Sequence, residues 1–420
     1  DHNHGCFQVR GLQKVTVYMP EFRDYSDWKD LFIYRWNELA RNLMANNDYR
    51  EGTTAYAGTV LNIFNNALLD ADYYGFELGS DFEKYTLKLA LYLAQVTFPN
   101  GVDIQLGDSD ASDQYSIIKN TMEILEDDAI QYMITNGEDG VHPGYDSLYL
   151  EGSNKLAVMR SGWTQDDLVM VINAASADGR SHTHPDNLSL VAYAYGQRLL
   201  VDPGRNNYND TEVSNWLRLS TESHNTITID GKSQAIASGN VSLFQTNQFF
   251  DTYKGNDATV KPFDHQRNIL FVKPYFWIVS DVVKGGTDAE HTYDQNWHFL
   301  PDANLKFDGD TLTTNFEEGA NLKMVNVENP DVTGELRSGY YSPNAAGTEA
   351  AKYAVYTQNK KGEVTFDTIL FPVKKGSTDD VQARRLEIGV EPSAASSFAL
   401  NLTLNNRNYQ SIVYTSHETA

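Results

Sequence analysis

Residues 181–208 read SHTHPDNLSLVAYAYGQRLLVDPGRNNY. Two short apolar runs meet across one glycine and end at a Pro-Gly turn, which is the spacing of paired strands rather than of a helix. The same period of two extends on both sides. LAVMRSGW from residue 156, DLVMVINAA from 167, HNTITIDG from 224, ILFVKPYFWIVSDVV from 269, EVTFDTILFPV from 363 and FALNLTLNN from 398 alternate or run briefly apolar between polar turns. From Leu148 onward the chain therefore predicts an all-β region, an antiparallel β-sandwich over 146–420 that can carry a small terminal β subdomain. Upstream the period lengthens to three and four. WKDLFIYRWNELARNLMAN (28–46), TAYAGTVLNIFNNALLDA (54–71), EKYTLKLALYLAQ (83–95) and SIIKNTMEILEDDAIQYMI (116–134) predict four helices within a domain over 1–145. The fold class is thus α+β and multidomain, helical first and β second, as 420 residues allow.

Charge and composition narrow the partners. The chain carries 33 basic against 57 acidic residues, a net of −24, yet is 41% hydrophobic, which is the balance of a folded acidic protein. Such a surface repels phosphate and has little counterion release to gain, so nucleic acid is not expected. Cys6 is the only cysteine, which removes an intrachain disulfide framework and any Cys-rich zinc site. No apolar run is long enough for a spanning helix, and DHNHGCFQVRG at residues 1–11 has neither part of a secretory signal.

The polar residues around the opening stretch are the densest candidates for chemistry. His182 and His184 lie two apart, so a strand beginning at SHTH would put both imidazoles on one face. Asp202 follows the next apolar run, and His224 opens HNTITIDG. Two imidazoles and a carboxylate suit zinc, but at such long spacings the same residues equally end strands and hydrogen-bond within polar loops. Asn3 and His4 read as a polar terminus that frays, or as part of a site. Tyr56 follows a helix start and faces either a core or a cleft. GxSxG, Walker, HExxH and dinucleotide-binding patterns are absent. A glycosidase carboxylate pair stays open, because separations in space cannot be read from sequence.

In order, MRSGW, SHTHPD, the apolar run, LLVDPG, Tyr208 and HNT resemble the C-terminal β region of the heparinase II/III-like polysaccharide lyases. NHG at 3–5 and EGTTAY at 51–56 are similar to the Asn-His pair and the helix-borne tyrosine of the family's toroid domain, and HQR at 265–267 and NWHF at 296–299 extend the likeness. The resemblance implies an incomplete (α/α) toroid followed by an antiparallel β-sandwich, with the active site between them. It implies β-elimination from a uronate polysaccharide, with Asn3, His4, Tyr56, His182 and Tyr208 as catalytic residues. Asn3 and His4 would neutralise the uronate carboxylate, Tyr56 would act as acid and, for one epimer, as base, and His182 would be the base for the other. His184, Asp202 and His224 would hold a structural Zn²⁺. Arg160, Arg205, His265, Arg267 and His298 would line the substrate cleft with positive charge.

The resemblance further implies a periplasmic or secreted enzyme whose signal peptide is absent from this chain, and a helical domain whose earlier part lies in a missing N-terminal segment or chain. The expected partners are an acidic uronate polysaccharide and, in a homo-oligomer, further copies of the chain. A net charge of −24 suits a polymer bearing only carboxylates, which favours alginate, with low-sulfated heparan sulfate or hyaluronan as the alternative. A noncatalytic carbohydrate-binding protein on the same scaffold is the reading from another class. CFQ after NHG departs from the tyrosine-containing segment expected of alginate-cleaving members.

Overall fold

The computed structural model describes residues 2–46, 48–152, 155–174, 182–387, 389 and 394–417. Helices occupy the first third of the chain: α1 (Asn3–Tyr18), α2 (Tyr25–Leu43), α3 (Thr54–Tyr74), α4 (Ser80–Val96), α5 (Gln114–Met122) and α6 (Asp128–Ile134). Neighbours pack in two interleaved rows, with α1, α3 and α5 touching in succession and α2, α4 and α6 doing the same. A terminus read from sequence as prone to fray is a regular helix instead. In α1, Asn3, Cys6, Val9, Gln13, Thr16 and Val17 recur at helical spacing and are buried. The stretch 116–134, expected as one helix, is two, because the Asp127 carboxylate accepts from Ala129 N and Ile130 N and so starts a new one.

Strands follow. A five-stranded antiparallel sheet is formed in chain order by β1 (Leu148–Leu150), β2 (Leu156–Arg160), β3 (Val169–Asn173), β4 (Leu190–Ala194) and β5 (Gln197–Leu200). Every residue of β2, β3 and β4 is buried, since the sheet is covered on both faces. Val158, Val169, Val171, Val191 and Tyr193 join the helical core. Their alternating neighbours Met159, Met170, Ile172, Leu190 and Ala192 join the core of the β-sandwich. One sheet therefore welds the two halves together through opposite sides of its pleat.

The rest of the sandwich comprises an eight-stranded and a four-stranded antiparallel sheet, and a three-stranded sheet (380–385, 395–404, 407–416) caps the outside of the larger one. The β half is not free of helix. α7 (Glu212–Leu219) lies between β5 and β6 (Ile227–Ile229), capped by Thr211 Oγ1 accepting from Ser214 N at 3.2 Å. Two turns are too few for a helical period to stand out among strands. No described helix is long and apolar enough to cross a membrane.

Candidate active site

The loop between α4 and α5 docks on the start of α3. Ser109 Oγ accepts from Ala55 N at 3.1 Å and lies 2.7 Å from Thr53 Oγ1, so it caps α3 from outside the helix. Thr54 Oγ1 donates to Asp103 in the same loop. Gly107, at φ +57°, allows the loop to press against the segment carrying His182, where a Cβ would lie 2.4 Å from His182 O. Asp108 N donates to that same carbonyl at 3.1 Å. These contacts bring together one residue from α3, one from the loop and several from the β half.

Asp108 is at the centre and almost fully buried. Its Oδ2 lies 2.8 Å from His182 Nδ1 and its Oδ1 lies 3.0 Å from His184 Nε2. Burial opposes its charge, but the hydrogen bonds from the two imidazoles outweigh burial and hold the carboxyl well below the usual range. An ionised carboxylate only accepts, so His182 donates from Nδ1 and His184 from Nε2, and in the neutral rings the lone pair is on Nε2 of His182 and on Nδ1 of His184.

Tyr208 OH donates to Asp108 Oδ2 at 3.1 Å and accepts from Arg205 Nη1 at 3.0 Å. Its single proton is thereby spent, so Tyr56, 3.0 Å away, donates to Tyr208. The Tyr56 ring stacks on His182 with centroids 4.3 Å apart. Burial and the hydrogen bond with Tyr56 push the Tyr208 phenol well above its usual range, so it stays protonated. Arg205 is fixed by Asp110, at 3.1 and 3.3 Å, and Arg218 lies over the Tyr208 ring at 4.8 Å with its Nε 3.5 Å from Asp108. The arrangement supplies an acceptor nitrogen, a hydroxyl at the head of a hydrogen-bonded chain, and two guanidinium groups in one place.

His182 and His184 do not share a strand face. Residues 182–189 are loop, and β4 begins only at Leu190, so the shared acceptor Asp108 aligns the rings. Asn3 is buried in the first turn of α1 and its N–H donates to Glu51 at 2.5 Å, while His4 is exposed. Tyr49 OH donates to the other Glu51 oxygen at 2.9 Å, so Glu51 ties α1 to the segment leading to Tyr56.

Of the five expected cleft-lining cations, Arg205 alone is at the cluster. Arg160 is fully buried, and its guanidinium donates to the Gln95 and Thr97 carbonyls at 3.0 and 2.6 Å, closing the C-terminus of α4. Arg267 is fully buried in a two-pronged pair with Asp281, at 2.7 and 2.8 Å, to which His265 also donates at 2.8 Å. Burial pushes the His298 imidazole down to about 4, leaving it neutral as its Nε2 donates to Glu222 O at 2.8 Å. Each of these four is occupied inside the fold and offers no face to a polymer.

Asp202 and His224 come together, and the third partner is Asp186. One donor atom from each of these buried residues lies within 4.8 Å of the others. Two carboxylates and an imidazole suit a divalent ion, and burial pushes the Asp186 carboxyl up, a cost that a cation would remove. Asp186 Oδ1, His224 Nε2 and His184 Nδ1 are buried and have no hydrogen-bond partner among the described residues. The residues present therefore fit a metal. His184 stands beside the trio, its ring 5.4 Å from that of His224.

Sequence reasoning missed Asp108, Asp186, Arg218 and Glu51. Asp186 was within reach, two residues beyond His184 in HTHPD. Asp108 follows the turn-forming Gly107, but nothing local names its partners 74 and 76 residues away.

Comparison with known proteins adds the following. The description "Heparinase II/III-like, C-terminal" matches residues 154–383, and "Heparinase II/III N-terminus" matches residues 1–132. A heparin-sulfate lyase of Pedobacter heparinus is 24% identical over 98% of this chain and 63% of its own length. One from Bacteroides stercoris is 25% identical over 89% of this chain and 58% of its own. The chain thus spans less than two thirds of either relative. The crystal structure of a heparan sulfate lyase from Pedobacter heparinus aligns over 100% of this chain and 67% of that one, with a TM-score of 0.82 at 23% identity, a likeness of fold.

Proposed function

The chain belongs to the heparinase II/III-like family, and from that membership we propose that it is a polysaccharide lyase that cleaves heparan sulfate by β-elimination. The observation that carries the reading is the convergence of His182 and Tyr208 on Asp108, with Tyr56 hydrogen-bonded to Tyr208 and stacked on His182. In the reaction the C5 proton of a uronate passes to a base, the C5–H electron pair becomes the C4–C5 double bond, the C4–O4 bond breaks, and O4 takes a proton. His182 Nε2 is the base on one face, with Asp108 holding the tautomer and steadying the imidazolium. Tyr56 is the acid for O4; where the C5 proton and O4 lie on the same side it works as the phenolate, its own proton having first passed to water, taking the C5 proton and delivering it to O4. Its proton is held by the Tyr208 oxygen until the sugar arrives. Tyr208, Arg205 and Arg218 answer the charge that develops on the uronate, together with Asn3 and His4 on α1.

The substrate preference moves from alginate to heparan sulfate. The two curated relatives are heparin-sulfate lyases, and the global charge of −24 does not set the field at Tyr208, which two guanidinium groups flank. Asp186, Asp202 and His224, with His184 Nδ1 close by, would hold a zinc ion whose charge binds the loops after β3 and β5 to the turn before β6. A polymeric sulfated substrate places the work outside the cytoplasm.

Following ultraviolet absorbance with heparan sulfate, hyaluronan and alginate tests both chemistry and polymer. A rise with heparan sulfate is expected, because elimination makes an unsaturated uronate. New reducing ends without that chromophore would mean hydrolysis, and no cleavage of any polymer would leave the noncatalytic reading.

A further inference from the structure

Two long strands of the sandwich, Val332–Asn344 and Gly347–Lys361, form a hairpin rooted in the sandwich core, where Val332, Ala354 and Tyr356 are buried. Its other end reaches the cluster around Asp108. The pairing loses register between Tyr341 and Asn344, which leaves Ser342 and Pro343 unpaired in the ladder. Both bond instead to the loops that carry the cluster. Ser342 N donates to Pro203 O and Ala111 N donates to Pro343 O, each at 2.7 Å. Ser342 Oγ accepts from Asn206 N at 3.1 Å, and Ser342 O accepts from Gln105 Nε2 at 3.0 Å. Gly204, at φ +81°, admits the tip, because a Cβ there would lie 2.3 Å from Ser342 O.

These bonds flank the ion pair that fixes Arg205. Asp110 precedes Ala111 and Arg205 precedes Asn206, so each member of the Asp110–Arg205 pair is one residue from a bond to the tip. Gln105 completes the join: its Oε1 accepts from Tyr341 OH at 2.8 Å, and Gln105, Tyr341 and Ser342 are all buried. α7, which carries Arg218, rests on the same hairpin. Trp216 lies against Gly339, where a Cβ would be 2.7 Å from the indole, and its ring is 6.0 Å from that of Tyr340. Both guanidinium groups that flank Tyr208 are thus supported by one element. Reacting groups carried on loops keep a productive geometry only where such supports lock them.

We propose that the hairpin tip is a positioning element for the elimination, with Ser342 and Gln105 as its positioning residues. It holds the loop of Asp108 and Asp110 to the loop of Arg205 and Tyr208 at one spacing. Arg205 then stays on the Tyr208 oxygen, and that oxygen stays within reach of Tyr56. The inference rests on the lyase reading of the cluster and adds to it the residues that set its geometry.

The test compares Ser342→Ala and Gln105→Asn with the unsubstituted protein. The first removes the acceptor of Asn206 N. The second keeps an amide that tolerates φ +62° but is one methylene too short for either bond. Steady-state rates on heparan sulfate should show kcat at least about tenfold lower with KM within about twofold, since a misplaced proton donor slows turnover and leaves the polymer bound. Amide hydrogen exchange should quicken in residues 103–111 and 203–208 and stay unchanged in α2. Wild-type kcat with quicker exchange would reduce the tip to a structural support, and a rise in KM alone would make it a polymer contact. Unchanged exchange would show that it does not hold the loops. Each of these overturns the proposal. Absence of unsaturated product from the unsubstituted protein fails the lyase reading instead, and exchange still decides whether the tip holds the loops.

Discussion

His182 Nδ1 lies 2.8 Å from Asp108 Oδ2, and this contact decides which ring nitrogen can take a proton. The opposite oxygen of the same carboxylate sets His184, so one buried acid orients both imidazoles. Asp108→Asn replaces one acceptor by a donor and reverses the tautomer of whichever imidazole meets it. Turnover should fall at least ~100-fold with KM little changed, as expected for loss of a general base. Steady-state rates from product absorbance, with a thermal melt to show that the fold persists, check this.

Tyr56→Phe keeps the ring that stacks on His182 and removes only the hydroxyl. The variant should melt like the unsubstituted protein and retain bound metal, yet lose at least ~100-fold in turnover if the O4 proton comes from Tyr56. Wild-type turnover would remove Tyr56 from the reaction.

The fold was legible where burial has a simple period. Leu148 marks the change from helix to strand because β2 to β4 are short, mainly apolar runs, and the three-stranded cap shows in FALNLTLNN. α7 was hidden by its length. In the site, types were legible and partners were not: His182, Tyr56 and Tyr208 have side chains that can move protons, whereas Asp108 is one of 57 acidic residues until Gly107 and Ser109 dock its loop on α3. The four misplaced cations fail for one reason. A sequence shows that Arg160 is cationic, but not that the carbonyls ending α4 already hold it.

His224→Ala and Asp186→Asn remove donors from the buried trio. Each should lower bound zinc, measured by elemental analysis after dialysis, and lower the unfolding temperature of the metal-loaded protein toward that of the chelator-treated one. Unchanged metal content in Asp186→Asn, with loss in His184→Ala, would return the ligand set to His184, Asp202 and His224.

Arg267 donates to the Leu188 and Asn225 carbonyls, at 2.5 and 2.6 Å, while paired with Asp281. Leu188 sits at φ +63°, an unfavourable conformation that this bond helps to hold, two residues from Asp186. Arg267→Met should destabilise the fold by roughly 3–5 kcal/mol, because it strands the buried Asp281 charge. The urea midpoint reads that loss. Arg267→Lys should recover it only in part, since an ammonium cannot serve two carbonyls and a carboxylate in one plane.

Asp103 yields a pH dependence of known sign. Burial raises its carboxyl from 3.8 to about 6, against the opposing bonds from Thr54, from Gln105 N at 2.7 Å and from Gln114 at 2.6 Å. The folded chain therefore holds this proton more tightly than the unfolded one. The resulting stabilisation is fully present below pH 3.8, falls as pH rises through the window to about 6, and is gone above it. A shift of about two units corresponds to about 3 kcal/mol. Asp103→Asn removes the titration, so the stability difference between the unsubstituted protein and this variant should change by up to that amount between pH 4 and pH 7. Groups that both proteins share cancel in the difference. Urea unfolding of both at each pH measures it, and a difference independent of pH would show that Asp103 is charged throughout.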